Sequence, residues 1–399
     1  MTEAGSRRAW LTAFLGFAAM FVTVGTGYSY GVLVLPIARD LGIGQGAVSG
    51  VFALTIMVFF LVGAPAGMLA DRLGARAVLL LGAMAMGAGL LLTATAQNAL
   101  ALYVGHGVLV GVAMSSTFVP LTAVVSASFV RHRSVAVGVA VSGIGLGTLV
   151  MAPLLASMIA ALGWRDAYLV LAGTSTAVLL GCAALVASPP HHAQDAAPMS
   201  ESTRSADYRL MYASQVLLSV AIFTPFAHLP AYAEESGVGP VTAAGLVGIV
   251  GAASVVGRLA LGPVADRVGL FRTYRLCFAA IGVSFALWFW PGGAYPALVV
   301  HAVVFGVAYG GFVALVPGLV AHRFGIGRLG GLLGILYTSH VFGAVLSPLA
   351  TGLLIERYGY VPAGLAGLIC GLAAVVVLGR LSRRVTDPAA ASQGSPSRR

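Results

Sequence analysis

Twelve stretches of this sequence are apolar over about the twenty residues that an α-helix needs to cross roughly 30 Å of hydrocarbon. Of 399 residues 59% are hydrophobic and only 9% are charged, and the mean hydropathy is +0.97, which excludes a soluble core with a charged surface. We therefore predict an all-α membrane protein with twelve transmembrane helices. The predicted spans are 10–38, 47–70, 77–96, 100–128, 134–160, 165–187, 209–233, 242–265, 274–291, 296–321, 329–354 and 361–380.

Arginines predict the orientation, because basic residues accumulate in cytoplasmic loops. All 22 basic residues are arginine, and with the N-terminus inside, eighteen of them lie in predicted cytoplasmic segments. Only Arg39, Arg165 and Arg357 then lie outside. Both termini are expected in the cytoplasm. The net charge of +10 is spread through short turns, so a nucleic-acid partner is not expected.

The apolar pattern is interrupted once, at residues 188–208, which are rich in Pro, Ser, Ala and charge. A stretch of this composition indicates a flexible linker, here between two sets of six spans. The predicted units are an N-terminal bundle at 1–187, a C-terminal bundle at 209–381 and a disordered Arg-rich tail at 382–399.

The two halves repeat with a constant offset of 195 residues. GMLADRLGAR, which begins at Gly67, recurs as GPVADRVGLFR, which begins at Gly262, and the same offset carries His106 to His301 and Pro153 to Pro348. One register held over several segments predicts two similar bundles related by a pseudo-two-fold axis along the membrane normal. Such proteins bind substrate between the bundles near the bilayer midplane and rock one bundle against the other.

Arg258 is the one charged residue at membrane depth in any predicted span, and no carboxylate lies at a comparable depth. Because an arginine at mid-bilayer costs about 2.5 to 3.5 kcal/mol, such a residue indicates a substrate site. Ser254 and Gly262 share its helix face, which leaves room beside a guanidinium fork suited to a carboxylate. Its repeat mate is Gly63, so the charge belongs to one bundle and favours a small anion. The alternative is an arginine that snorkels to cytoplasmic headgroups.

Two histidines and two tyrosines complete the site predicted from residue chemistry. His228 lies between Pro225 and Pro230, and His340 lies deep in the eleventh span. An imidazole is the best proton carrier that the embedded segments offer, although either ring could instead be satisfied by a backbone carbonyl. Tyr28 and Tyr309 are candidate hydroxyl donors to a carboxylate, although tyrosines in membrane helices more often pack or anchor.

The two repeated acidic turns are predicted to form a gate. In each turn an acid can meet the positive N-terminal end of a helix in the other bundle, and neighbouring arginines can bridge across. Basic residues that only set the orientation in the membrane would explain the arginines. They would not explain two acids at equivalent positions of the repeat. The gate residues are Gly67, Asp71, Arg72, Gly74, Arg76, Gly262, Asp266 and Arg267.

Enzyme chemistry is not expected. The sequence contains no metal-ligand cluster, nucleophile elbow or phosphate loop, and its three cysteines have no disulfide or metal spacing. We predict no cofactor and no metal.

The chain resembles the major facilitator superfamily over essentially its whole length. The family's loop signature G-x-x-x-D-R-x-G-x-R is matched at 67–76 without exception. A narrower resemblance, to the bacterial monocarboxylate and oxalate/formate transporter branch, rests on YSYGVLVLPIARDLG at 28–42, on FVP at 118–120 followed by SASFVRHRSVAVGVAVSG, and on G-R-x-x-x-G-x-x-x-D-R-x-G at 257–269.

This resemblance implies that Arg258 binds a substrate carboxylate, that His228 and Tyr309 line the same cavity, and that Ser116 and Phe118 face it from the fourth span. The chain also departs from its relatives. It has no lysine, and Ser254 stands where animal monocarboxylate transporters have an aspartate, so their proton relay cannot be transferred.

We therefore expect a monomeric secondary transporter of a bacterial inner membrane. The expected cargo is a small monocarboxylate, such as a lactate-like or pyruvate-like acid, moved with a proton. Exchange against another anion, efflux of an amphipathic drug, and a receptor that binds without translocating remain as alternatives. The close Gly-Pro pair of proton-linked drug exporters is missing near Pro153.

Overall fold

The computed structural model describes residues 7–129, 132–186, 199–289 and 295–386, and within these ranges every regular element is a helix. Twelve spans, α1 to α12, follow one another along the chain. Their bounds are Arg7–Leu41, Gln45–Leu61 with Gly63–Leu73, Ala75–Ala94, Ala99–Ser128, Arg133–Leu162, Trp164–Leu185, Ala206–Glu235, Pro240–Val268, Leu270–Phe289, Tyr295–Phe324, Leu329–Tyr358 and Tyr360–Thr386.

The predicted all-α membrane fold is confirmed. Eleven helices in the described part of the chain are long and apolar enough to cross a membrane, and α2, bent by 41° beside Val62, supplies a twelfth span in two pieces. A break at Thr338 also divides α11 into Leu329–Tyr337 and Ser339–Tyr358. Interruptions of this kind are tolerated where neighbouring helices cover the backbone.

Part of the predicted linker is helical, since Met199–Arg204 forms a short helix ahead of α7. Residues 188–198 of that linker lie outside the described residues, as does the predicted tail beyond Thr386. The last helix, α12, reaches five residues into the predicted tail region 382–399.

The repeat predicted from the sequence is visible in the packing. In the N-terminal half α1 packs on α5 and α3 packs on α6, and in the C-terminal half the equivalent pairs α7 with α11 and α9 with α12 pack together. His106 and His301 are fully buried at corresponding places, where one ring meets Thr55 and the other meets the carbonyl of Ser284. The chain therefore forms two six-helix bundles of matching design.

The two bundles meet along two symmetric helix pairs, α2 with α11 and α5 with α8. These contacts lie toward the face at which α1 begins and α12 ends, which we call the terminal face; the opposite face is the distal face. Glycines allow the close approach, because a Cβ at Gly67 would overlap the carbonyl oxygen of Gly330 and one at Gly138 would overlap that of Arg258. Small residues let membrane helices pack backbone to backbone.

Candidate functional site

Arg258 lies in α8 at the junction of the two bundles and is only 2% exposed. Its Nη1 donates a hydrogen bond of 3.1 Å to the carbonyl oxygen of Val141 in α5. Gly145, one turn further along α5, leaves room for the guanidinium, since a Cβ there would lie 2.8 Å from Nη1. Arg258 therefore does not snorkel to the terminal face, and its positive charge stays at the centre of the protein.

The guanidinium has no acidic partner among the described residues. The ion pairs in this part of the chain join His132 to Asp266, Arg165 to Asp40 and Arg323 to Asp207, and none involves Arg258. Its Nε has no hydrogen-bond partner within the described ranges. A buried donor without a partner is costly, so this nitrogen is available to an acceptor from outside.

Arg258 lines a narrow cavity of about 40 Å³ between the bundles, which we call the head cavity. A space of this volume holds a carboxylate or about three water molecules. Four of the predicted site residues also line the head cavity: Tyr28, Phe118, Tyr309 and His340. The remaining lining residues are Val24, Phe59, Phe60, Ile144, Phe223, Phe312, Val313 and Tyr337.

A wider cavity of about 570 Å³, which we call the vestibule, shares Tyr28, Phe223 and Tyr309 with the head cavity and continues it toward the distal face. Among the described residues that line it, none is charged, and the tyrosine hydroxyls are the one kind of polar side-chain group. Tyr28 is 37% exposed. The other lining residues are Phe52, Ala53, Ile56, Phe226, Ala227, Ala344, Val345, Pro348 and Leu349.

Three predicted site residues lie elsewhere in the structure. Ser116 faces α3, where a Cβ at Gly82 would come within 2.8 Å of its own Cβ. Ser254 is buried one helical turn before Arg258, and its hydroxyl donates a hydrogen bond to the carbonyl oxygen of Gly251. His228 points to α11, with Nε2 3.3 Å from the carbonyl oxygen of Pro348. None of these three side chains lines the head cavity or the vestibule.

Tyr337 was not predicted as a site residue, although it lines the head cavity at 3% exposure. Its hydroxyl has no hydrogen-bond partner among the described residues. In the sequence Tyr337 opens a short polar interruption, Tyr337 to His340, within a long apolar run. That interruption coincides with the break in α11 and was the available signal.

The predicted gate residues lie at the terminal face. Asp71, at the end of α2, accepts hydrogen bonds from the backbone N–H groups of Gly330 (3.0 Å) and Gly331 (2.7 Å). These groups belong to the first turn of α11, so the carboxylate meets both unpaired amides and the positive end of the helix dipole. Arg72 lies beside this contact, together with Met68, in a small pocket.

The symmetric turn makes a weaker contact. Asp266 lies 3.5 Å from Nδ1 of His132, the residue that precedes α5, and both side chains are about half exposed. Gly262 presses on the start of α5, where a Cβ would lie 3.0 Å from the amide nitrogen of Val135. Gly74 ends α2 with a φ of 84°, and the side chains of Arg76 and Arg267 are exposed.

The site can therefore hold one anionic group at a fixed cation inside an aromatic enclosure. It opens toward the distal face, while the terminal face is closed by two symmetric helix contacts. No metal-binding group of three or more His, Cys, Asp or Glu residues occurs in the described part of the chain. The arrangement provides binding and passage rather than bond-breaking chemistry.

Known proteins of similar sequence and fold are transporters. Human Monocarboxylate transporter 11 is 28% identical over 369 residues, which cover 88% of this chain and 78% of that protein. The MFS-type transporter pynF of Aspergillus niger is 27% identical over 400 residues, which cover 96% and 90%. A crystal structure of a bacterial homologue of the iron transporter ferroportin superposes with a TM-score of 0.75 at 14% identity, covering 94% of this chain and 100% of that one.

The family profile of the Major Facilitator Superfamily matches residues 15–300, which is well over half of the chain. This match agrees with the two-bundle fold, the repeated acidic turns and the central cavity. The chain is a multi-pass membrane transporter and not an enzyme, and it belongs to the Major Facilitator Superfamily.

Proposed function

We propose that this protein carries an organic monocarboxylate across the membrane by alternating access between its two bundles. The observation that carries the proposal is Arg258, which is buried, lines the head cavity and has an Nε without a partner in the described ranges. The names of relatives such as human Monocarboxylate transporter 11 support the same cargo class.

The carboxylate would enter from the vestibule and bind the Nε side of the Arg258 guanidinium. Arginine presents its donors in a planar fork that matches a carboxylate, and such charge-assisted bonds are the strong ones. Tyr28 and Tyr309 line the head cavity together with Arg258 and would add hydroxyl donors to the bound carboxylate. Binding would neutralise the buried charge, which favours closure of the cavity around the loaded site.

Transport would then require the terminal face to open as the distal side closes. The contacts of Asp71 with α11 and of Asp266 with His132 would break in that step. We place the protein in a bacterial inner membrane, with both termini in the cytoplasm, and treat it as a monomer. Of the two predicted proton carriers, His340 lines the head cavity and His228 does not, so His340 is the better candidate for proton coupling.

The test is uptake of labelled monocarboxylates into proteoliposomes by the parent, Arg258→Ala and Arg258→Lys. Losing charge-assisted bonds worth about 1.5 to 3 kcal/mol should weaken substrate binding by about tenfold or more in Arg258→Ala. Arg258→Lys should retain only part of the parent's substrate binding, because an ammonium lacks the planar fork. The exposed Arg275 provides a matched control, Arg275→Ala, with parental uptake. Unchanged uptake by Arg258→Ala would refute the assignment.

Coupling is a separate measurement on the same vesicles. With a proton symporter, an inward acid gradient should drive accumulation of the acid without any internal anion. With an exchanger, uptake should ignore the gradient and require an anion inside the vesicle. The parent protein distinguishes the two mechanisms in one experiment.

A further inference from the structure

The walls around Arg258 contain more aromatic surface than a lactate-sized anion can contact. In the head cavity Phe118 lies 5.0 Å from Tyr337 between ring centroids, and His340 lies 5.9 Å from Tyr337. Phe60 and Phe312 both stack on His340, at 5.3 and 5.8 Å between ring centroids. These rings form a connected enclosure in which Arg258 is the one charged lining residue.

Two hydrogen-bond donors in this enclosure indicate where the polar end of a ligand would bind. Nε of Arg258 and the hydroxyl of Tyr337 are both buried, both belong to side chains that line the head cavity, and neither has a partner within the described ranges. Buried polar groups are otherwise almost always satisfied. The head cavity, with a volume of about 40 Å³, accommodates a carboxylate but little beyond it.

The rest of the ligand must therefore extend into the vestibule. The two spaces meet at Tyr28, Phe223 and Tyr309, and the vestibule has about 570 Å³ behind an apolar wall. A small hydrated acid would leave that wall exposed to water, whereas a ring would cover it, and removing apolar surface from water favours binding. Rings also pack on rings with an additional preference for stacked or edge-on geometry.

We propose, on the basis of the monocarboxylate function proposed above, that the preferred cargo is an acid with an aryl or similarly bulky apolar body. Its carboxylate binds Arg258 and Tyr337, and its ring lies in the passage between Tyr28, Phe223 and Tyr309. Lactate-sized acids then bind as fragments of the full ligand.

The test measures binding of three probes to the purified full-length protein by isothermal titration. These are 3-phenylpropionate, propionate and the neutral 3-phenylpropionamide. We expect 3-phenylpropionate to bind about tenfold tighter than propionate or more, since burying a ring of this size is worth about 1.5 to 3 kcal/mol. We expect the amide to bind far more weakly than the acid, because it cannot form a charge-assisted bond with Arg258.

Phe223→Ala provides the internal check, because Phe223 lines both cavities and is only half-buried. The variant should lose most of the preference for the phenyl acid over propionate. The matched control is Phe14→Ala, which removes a ring that is 57% exposed on α1 and remote from the cavities. It should bind all probes as the parent does.

Other outcomes separate this inference from the proposed function. If propionate binds as tightly as 3-phenylpropionate, the inference is overturned and monocarboxylate transport still stands. If the amide binds as tightly as the acid, or if neither acid binds, carboxylate recognition fails and both proposals fall.

Discussion

Arg258 is held in place by one carbonyl oxygen and by the absence of a side chain opposite it. Val141 accepts its hydrogen bond, and Gly145 leaves the space that the guanidinium fills. The position of the charge therefore depends on α5, which belongs to the other bundle. Any movement of α5 relative to α8 changes the position of the guanidinium. Substrate binding and bundle movement therefore depend on the same contact, that of Arg258 with α5.

We expect Gly145→Ala to weaken monocarboxylate binding without removing any charge. A methyl group would lie 2.8 Å from Nη1 and 2.6 Å from a methyl carbon of Val255, so the guanidinium must move. The added volume costs about 1 to 3 kcal/mol, which corresponds to a loss of affinity of about fivefold or more. Titration of the purified variant measures it. Gly181→Ala, at an open position on α6, is the control; equal affinities in both variants would contradict the prediction.

Asp71 and Asp266 occupy equivalent sequence positions but should not contribute equally to closure. Asp71→Asn removes the charge from the N-terminus of α11 and leaves one amide without an acceptor, because an amide side chain has a single carbonyl oxygen. In this variant Met68→Cys, made without the native cysteines, should react with an impermeant maleimide at the terminal face about tenfold faster or more. A lost hydrogen bond to a charged group is worth about 1.5 to 3 kcal/mol.

Asp266→Asn, measured with the same cysteine, should raise the labelling rate much less. Its carboxylate is 42% exposed and faces His132 at 3.5 Å, and exposed pairs of this kind contribute about 0 to 1 kcal/mol. Equal effects of the two substitutions would show that the asymmetry between the two turns is not functional.

At the residue scale the sequence predicted the buried charge of Arg258, but not which neighbouring side chains face the cavity. An embedded arginine without an acid is visible in any reading of the chain, and the helical period placed Ser254 on its face. Which side of α4 faces the cavity is set by packing on α3, so Phe118 lines the cavity while Ser116, two residues earlier, faces Gly82. His228 was similarly directed to Pro348 by the neighbouring helix.

At the element scale α2 and α11 approach so closely at their glycines that backbone meets backbone. A Cβ at Gly334 would overlap the carbonyl oxygen of Gly63, and one at Gly67 would overlap that of Gly330. The same pairing recurs between α5 and α8 at Gly138 and Gly262. These glycines thus determine how closely the bundles approach at the terminal face.

Gly67→Ala should therefore slow transport, because α2 and α11 must come back into contact each time the terminal face closes. Backbone atoms cannot rotate away as a side chain does, so the strain falls on the closed contact. We expect uptake into proteoliposomes to fall by about fivefold or more. Gly173→Ala on α6, where no atom lies within 4 Å of the added methyl, is the matched control. Parental uptake by Gly67→Ala would show that this contact does not limit the cycle.

Element positions were predictable because hydrocarbon thickness sets the length of an apolar run. Each predicted window overlaps the helix found, and the differences lie at the ends. The bend beside Val62 and the break at Thr338 were not predicted. The bend lies inside a continuous apolar run, and the polar stretch at the break is only four residues long within another. Such interruptions depend on neighbouring helices to satisfy the freed backbone groups, which a single segment does not reveal.

At the scale of the whole molecule the terminal face is closed and the vestibule is open, which is one state of the proposed alternating-access cycle. A reversible disulfide cross-link between the two bundles at the terminal face should stop that cycle. A Cβ at Gly331 would lie 3.1 Å from Cγ of Met68, so cysteines at both positions come near the Cβ separation of about 3.5 to 4.5 Å that a disulfide requires.

The double variant Met68→Cys with Gly331→Cys, made without the native cysteines, should transport when reduced and stop when oxidised. The vestibule should still bind substrate after oxidation. Met68→Cys alone should be indifferent to oxidant. Transport that continues in the cross-linked protein would mean that the bundles do not need to separate at this face.

The overall arrangement could be predicted from the repeat, because two copies of one pattern imply two similar bundles with a site between them. Which side of that site is open could not be predicted. The open and closed arrangements use the same sequence, differ by a few kcal/mol and depend on many weak contacts across the interface. The enclosure around Arg258 was missed for a related reason, since its rings come from helices of both bundles.

The lone guanidinium also can make the two halves of a transport cycle electrically different. In the proposed transport of a monovalent anion, the empty carrier would move its bundles with one uncompensated positive charge between them. A carrier loaded with the anion alone would move no net charge, whereas one loaded with the anion and a proton would move the same single charge as the empty carrier. Membrane voltage acts on a charge with about 2.3 kcal/mol per 100 mV over the full thickness, and Arg258 crosses only part of that distance. Voltage would therefore change only the empty return step of a carrier that takes no proton, and both steps of a proton symporter.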